Sequence, residues 1–426
     1  MTLKPRVFLE FLRTSLWVVP MGLVLGMMML GQFLLWVDGR AEIDVKMMEG
    51  AGIDGARGMF QAVAGGMLTL AGVVFSMTLV VLSQATAQYS PRVLRNFLGD
   101  RVNQTVLGVF LGIFVYCLVV LRGLGEDGST LPVLTVLVGL AMSLLGVVFL
   151  VYFIHHIARS LQVENIVASI HDETAPVIDR LYPEAQAEGD EAAREDVPAF
   201  GAGDPVILAR SSGYIQDVDV ARLERLACRL DTVIELPHRV GGFVSEGMAL
   251  VRIKGPVEPD EDAASDVHSS FTLGRQRTIQ QDPSFGLRQL VDVAMKALSP
   301  GVNDTTTAVL VVDRLSALVR RLCQRRMPAR LREVDGVLRL VVARPDFEDY
   351  LGLAFDQIRQ WGANNPAVLG RMLEVIAQLL PITHCSSRRE LLHEHARRII
   401  TAGGHAINEE CDLAWLRQCY QRVPPV

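Results

Sequence analysis

Lysine is nearly absent. Only Lys4, Lys46, Lys254 and Lys296 stand among the 41 basic residues of this 426-residue chain, a bias that marks a GC-rich coding sequence and not a chemistry. The basic excess of a nucleic-acid binder is also missing: the formal net charge is −6, whereas such a surface is strongly positive. Six cysteines, at 117, 228, 323, 385, 411 and 419, form no C-x-x-C pair. Structural zinc needs closely spaced ligand pairs and a disulfide framework suits small secreted domains. Neither is expected, and the thiols read as free ones in a reducing compartment. A fourth absence matters most. No Asp, Glu, Lys or Arg interrupts any of four long apolar runs within residues 1–157, which argues against a proton-coupled pump built on an intramembrane ionisable relay.

Those runs are expected to be transmembrane helices at 15–37, 58–87, 105–121 and 131–154. The first is 23 residues long, and a helix of that length reaches about 34 Å, enough for a hydrocarbon core of about 30 Å. It follows Lys4, Arg6 and Arg13 as a signal peptide would. It is too long for that region and has no small-residue cleavage site after it, so a retained anchor is expected. Trp17 and Trp36 sit near its two ends, as interfacial aromatics do. Basic residues flank the N-terminal segment, the second connection (Arg92, Arg95, Arg101) and the stretch after the fourth span (His155, His156, Arg159), whereas acids dominate the first loop. The basic-inside rule then places both termini in the cytoplasm of a bacterial inner membrane.

The second span carries a polar stripe. Gly65, Thr69, Gly72, Ser76 and Ser83 recur at spacings of four, three, four and seven, and Ser90 extends the series. These positions share one helix face, which suits either close helix packing or the lining of a solute path. Small residues four apart also occur in the other spans (Gly22 and Gly26, Gly108 and Gly112, Gly139 with Ser143), a habit that favours packing. Only the second span adds a continuous series of hydroxyls, with Gln61, Gln84 and Gln88 near its ends.

Beyond residue 157 the chain reads as soluble. Residues 158–203 are expected as a helical extension of the fourth span followed by an acidic linker, and 204–255 as a small β-domain. Residues 256–270 read as a second acidic linker and 271–426 as a mostly helical domain. The pattern from Val240 to Leu250, with Gly241 and Gly242 in a turn ahead of Phe243 and Val244, resembles that of barrel-sandwich hybrid domains such as biotinyl and lipoyl carriers. No Lys sits on a hairpin there to carry such a group, so no cofactor is expected. The fold class is thus membrane α-helical, four transmembrane helices with a cytoplasmic α+β region: a small β-barrel or sandwich-like segment plus a helical domain.

Two stretches, SMTLVVLSQATAQYSPRVLRNFLGD at 76–100 and QDPSFGLRQLVDVAMKALSPGVNDTTTAVLVVDRL at 281–315, resemble a family of bacterial predicted membrane proteins, the domain-of-unknown-function family DUF2254. The resemblance implies a topology and no activity. In the second stretch Asp282-Pro283 suits a helix start, and Asn303 or Asp304 can cap the helix that begins at the threonines. Arg288, Lys296, Asn303 and Asp304 are the candidates for contact with an anion, a nucleotide or a neighbouring subunit, against a purely structural turn with caps. His393 and His395 are two apart and share no helix face, so no metal clip is expected. No catalytic motif is present. The expected partners are the lipid bilayer, a second copy of the chain in a homo-oligomer, and ions or small solutes. The expected role is an oligomeric channel or passive transport protein, with a non-conducting scaffold or sensor as the alternative.

Overall fold

The computed structural model describes residues 17–40, 53–88, 101–126, 132–160, 162–184, 198–201, 203–255 and 258–425, without the side chains of 85–88, 125, 126 and 160. The chain forms two compact units, residues 1–166 and 167–426.

The first unit contains α1 (Val18–Asp38), α2 (Ile53–Gln88), α3 (Arg101–Glu126) and α4 (Val133–Ser160). All four are long and apolar enough to cross a membrane. The helix α3 is the hub: 56% of its most apolar stretch is buried, against 17–22% for the other three. Val106, Phe110, Ile113, Tyr116, Cys117 and Val120 of α3 are fully enclosed. Glycines set how closely the others approach. A methyl group at Gly108 would stand 2.9 Å from Pro20 Cα on α1, and one at Gly112 2.8 Å from Met27 Cγ. On α4, a methyl at Gly146 would meet the Met67 side chain of α2 at 2.8 Å. Gly22 and Gly26, by contrast, have nothing within 4 Å.

One polar lock holds the end of this bundle. Asp38, the last residue of α1, accepts hydrogen bonds from the Leu134 and Thr135 amides (3.2 and 2.8 Å) and from the Thr135 hydroxyl (2.6 Å). A carboxylate placed there satisfies orphan donors of the first turn of α4 and complements its dipole. Tyr116 donates to the Thr135 carbonyl at 2.7 Å from the hub side. The sequence alone presents Asp38 as one loop acid among five.

The second unit opens with α5 (Val163–Leu181), whose first turn straddles the boundary. Then follow β1 (Val206–Leu208), β2 (Gly213–Val218), α6 (Val220–Arg229), β3 (Ile234–Leu236), β4 (Phe243–Val244) and β5 (Ala249–Ile253). After these come α7 (Glu261–Ser270), β6 (Phe271–Gly274), α8 (Pro283–Ala297) and α9 (Thr305–Cys323). The chain ends with β7 (Leu331–Val334), β8 (Val337–Val342), α10 (Phe347–Trp361), α11 (Pro366–Leu379), α12 (Ser386–Ala406) and α13 (Glu410–Gln421). Its strands make a five-stranded sheet, β1-β5-β3-β8-β7, and a three-stranded one, β4-β2-β6.

Three expectations are corrected here. Segment 204–255 is no closed barrel or sandwich of its own: its larger sheet is completed by β7 and β8, and its smaller one by β6. It also contains the ten-residue helix α6, whose Leu223, Leu226 and Ala227 fill the space beneath the sheet. The acidic stretch expected as a linker at 256–270 holds α7, capped by the Asp260 carboxylate on the Ala263 amide at 2.7 Å. Ala263 and Val267 are buried, and Asp266 binds Arg222 and Arg229 of α6 at 2.9 and 3.1 Å. Gly241 does occupy the expected turn before Phe243, at φ +82°. Most of the first acidic linker lies outside the described residues.

Candidate functional site

On α2 the buried residues are Ala56, Phe60, Ala64, Met67, Ala71, Val74 and Val81. At about 100° per residue they form one face, and Gly65, Thr69, Gly72, Ser76 and Ser83 lie within about 60° on the opposite side. All five stripe residues are exposed. Gly65 and Gly72 have no other atom within 4 Å of an added methyl. The stripe therefore takes no part in packing the four helices of its own chain. Thr69 satisfies its hydroxyl on the Gly65 carbonyl at 2.9 Å. Ser90 lies outside the described residues.

The second candidate group divides. Asp304 is the N-cap of α9, accepting from the Thr307 amide at 3.0 Å and the Thr307 hydroxyl at 2.6 Å. Those bonds hold its carboxyl below the usual carboxylate range. Asn303 is exposed in the left-handed region, φ 48°. The turn before it is closed by Asn303 N donating to the Ser299 carbonyl at 2.9 Å and Asp304 N to the Ala297 carbonyl at 2.8 Å. Lys296 is exposed in the last turn of α8. Arg288 lies eight residues earlier, about 12 Å along the helix, and donates to Gln357 of α10 at 2.5 Å. Lys296, Asn303 and Asp304 share one turn; Arg288 belongs to the contact with α10.

A denser polar centre forms around the other end of α8. Asp282 is 4% exposed and takes both Arg277 Nε (2.9 Å) and Nη2 (2.6 Å) on one oxygen. Burial raises its carboxyl above the ordinary range, with Arg277, Ser284 and then Arg239 opposing. Beside Ser284, the Tyr350 hydroxyl of α10 meets that of Tyr182 at 2.7 Å. Burial pushes both phenols up. Gly241 must be glycine twice over: its φ is positive, and any Cβ would collide with the Asp282–Arg277 pair. Gly286 is equally constrained, because its backbone rests on the buried Thr174 side chain of α5.

Thus the motif QDPSFG at 281–286 joins three things: the turn after β3, the start of α8, and the helix α5. Asp179 at the far end of α5 is held by Arg321 of α9 and by Arg325 just past that helix, at 2.6 and 2.9 Å. Arg325 also donates to the Asp179 and Tyr182 carbonyls at 3.0 and 2.7 Å, closing the C-terminus of α5.

The family described as "Predicted membrane protein (DUF2254)" matches residues 13–378, which include every element of this centre. The chain belongs to that family. An uncharacterized protein of Mycobacterium bovis is 34% identical over 438 residues, covering 99% of this chain and 82% of its own length. An uncharacterized protein of Mycobacterium tuberculosis strain H37Rv matches at the same identity and coverage. No solved structure matches the chain.

Other chemistry in this DUF2254 protein is sparse. Among the described residues no group of three His, Cys, Asp or Glu side chains could hold a metal ion. All six cysteines are free, and Cys117, Cys323 and Cys419 are buried. Burial pushes the Cys323 thiol up to about 11. His393 and His395 are both buried on α12, and burial lowers the pKa of each.

Proposed function

We propose that this DUF2254 protein assembles through the α2 face into an oligomeric membrane channel or passive transporter. On this reading the bundle is a multi-pass bacterial inner-membrane domain with both termini and the second unit in the cytoplasm. The observation that carries it is the uncovered stripe opposite the packed face of α2. Elsewhere in the bundle glycines such as Gly108, Gly112 and Gly146 let a neighbouring helix approach closely. Gly65 and Gly72 do the same only if a neighbour comes from another copy. Lipid offers small residues no packing advantage, so turning this face to a subunit interface is favoured. A path for ions or small solutes would then run between subunits, beside Thr69, Ser76 and Ser83.

The alternative is a non-conducting scaffold or sensor, and one feature favours it. The interior of a single bundle is filled by Phe60, Phe110, Ile113, Tyr116 and Phe153, all at most 1% exposed, which leaves no conduit through the described residues of one bundle. Flux in liposomes decides between the two. Passive movement of an ion or small solute that Ser76→Leu abolishes and Leu79→Ile leaves intact supports the channel. Stable oligomers that pass nothing support the scaffold, and a strict monomer in lipid removes both readings of the stripe.

A further inference from the structure

Within the five-stranded sheet, β3 and β8 run parallel. Carboxyl ends of adjacent parallel strands deliver their loops to one edge, and the ligand crevices of α/β sheets open there. Here the two exits are fastened together, since the Ala343 amide donates to the Leu236 carbonyl at 3.2 Å. Arg239 follows β3 and Arg344 follows β8. Arg330 arrives at the same edge ahead of β7, its carbonyl accepting from the Val342 amide at 2.8 Å.

The charges at this edge do not balance. Arg277 is taken by Asp282, Arg332 by Glu224 at 2.7 Å, and Arg239 reaches Asp349 only at 3.6 Å. Among the described residues, the Arg330 and Arg344 side chains have no hydrogen bond or ion pair. For the exposed Arg330 that is ordinary. Arg344 is only partly exposed, and burial, then Arg332, lowers the pKa of its guanidinium, with Tyr182 and Glu224 opposing. The Glu224 carboxylate is already engaged by Arg332 at 2.7 Å, so Arg344 shares the acid near it and pairs with none directly. The first-turn carboxylates of α10 are shared: Asp346 and Asp349 form its capping box, and Asp349 also faces Arg239. Tyr182, at the end of α5, lies close enough to Arg344 to feel its charge.

We propose that Arg344, Arg330 and Arg239 form a binding site for a phosphate-bearing anion at the carboxyl edge of β3 and β8. The planar guanidinium fork matches phosphate oxygens bidentately, which a lone ammonium does not. The site is independent of the α2 face, so it stands or falls apart from the channel reading.

The test is calorimetric titration of the full-length protein in detergent with inorganic pyrophosphate at fixed ionic strength. Saturable binding is expected. R344Q should weaken it roughly tenfold or more, the scale of a lost hydrogen bond to a charged group. R330A should weaken it severalfold with unchanged thermal unfolding, which a folding defect would not give. R320A, on the exposed side of α9, should leave it intact. Absence of saturable binding, or equal loss in R320A and R330A, overturns the site. Repeating the titration in nanodiscs of phosphatidylcholine, with and without phosphatidylglycerol, separates the sources of the phosphate. Competition by phosphatidylglycerol assigns the site to a lipid headgroup, and no competition assigns it to a soluble phosphate compound.

Discussion

The two units solve the problem of holding helices together by opposite means. In the first, glycine brings backbones and apolar side chains into contact, and polar locks such as Asp38 on α4 sit at helix ends. In the second, arginines and carboxylates tie helix ends to one another, as Arg325 does for α5 and the Asp282–Arg277 pair does for α8. The difference follows from solvent. A bilayer interior lends no hydrophobic drive between helices and punishes unpaired polar groups, so close packing must carry association. In water apolar burial supplies that drive, and charged pairs mainly fix which elements meet.

The sharpest test of this contrast is in the second unit. Asp282→Ala removes the buried partner of the pair and leaves the Arg277 side chain, 26% exposed, without its carboxylate, at a cost of about 2 kcal/mol, the scale of a lost hydrogen bond to a charged group. Thermal unfolding of the full chain in detergent should show the second unit melting earlier while the apolar bundle keeps its transition. Equal loss from both transitions would mean that the pair is not specific to the second unit. Of similar size is Gly108→Ala in the bundle, where the new methyl meets the Pro20 backbone at 2.9 Å. Overpacking of this kind costs about 2 kcal/mol, and here the bundle transition should move alone.

A smaller effect separates capping from ligand contact at Asp304. Its pKa is depressed in the folded state, so its contribution is fully present above the unfolded value of about 3.9. That contribution is lost as the pH falls through the lower folded value. Asp304→Ala should cost about 1 kcal/mol near neutral pH, and the gap to the wild type should begin to narrow below about pH 4 and close once the pH has fallen past the depressed folded value. Urea unfolding in steps from about pH 7 to about pH 2 measures both. A gap that persists in acid would show that the carboxylate is not what matters at this cap.

Much of this was legible beforehand, for reasons that differ between the units. Four apolar runs declare four helices because length and hydropathy suffice. The Asp282-Pro283 helix start and the Asp304 cap are local patterns and so can be read locally. Helix α7 was hidden because its composition is acidic and its buried face amounts to little more than Ala263 and Val267. The β-segment misled for a different reason: three of the eight strands in its two sheets, β6, β7 and β8, lie beyond it in sequence. The polar centre shares that cause. Tyr182, Arg239, Arg277, Asp282 and Tyr350 have no mutual spacing, and only the Asp-Pro helix start was visible. The positive-φ glycine at 241 was the single local signal that something approaches the backbone there.

The smallest expected effect is the most informative about the stripe. Gly65→Ala and Gly72→Ala add a methyl group where nothing lies within 4 Å, so within one bundle neither can create a clash. Both sit in the interior of α2, where alanine is favoured over glycine by about 1 kcal/mol. The isolated chain in detergent should therefore be unchanged or slightly stabilised, in contrast to Gly108→Ala. If a second copy covers the stripe, the same methyls hold two helices apart at their contact, and the oligomer should weaken although the subunit does not. Chemical cross-linking in lipid, set beside unfolding in detergent, separates the two responses. Weaker association with undiminished subunit stability places the α2 face at an interface. Unchanged association leaves the face to lipid, and the close-packing rule that governs α3 would then stop at the surface of a single chain.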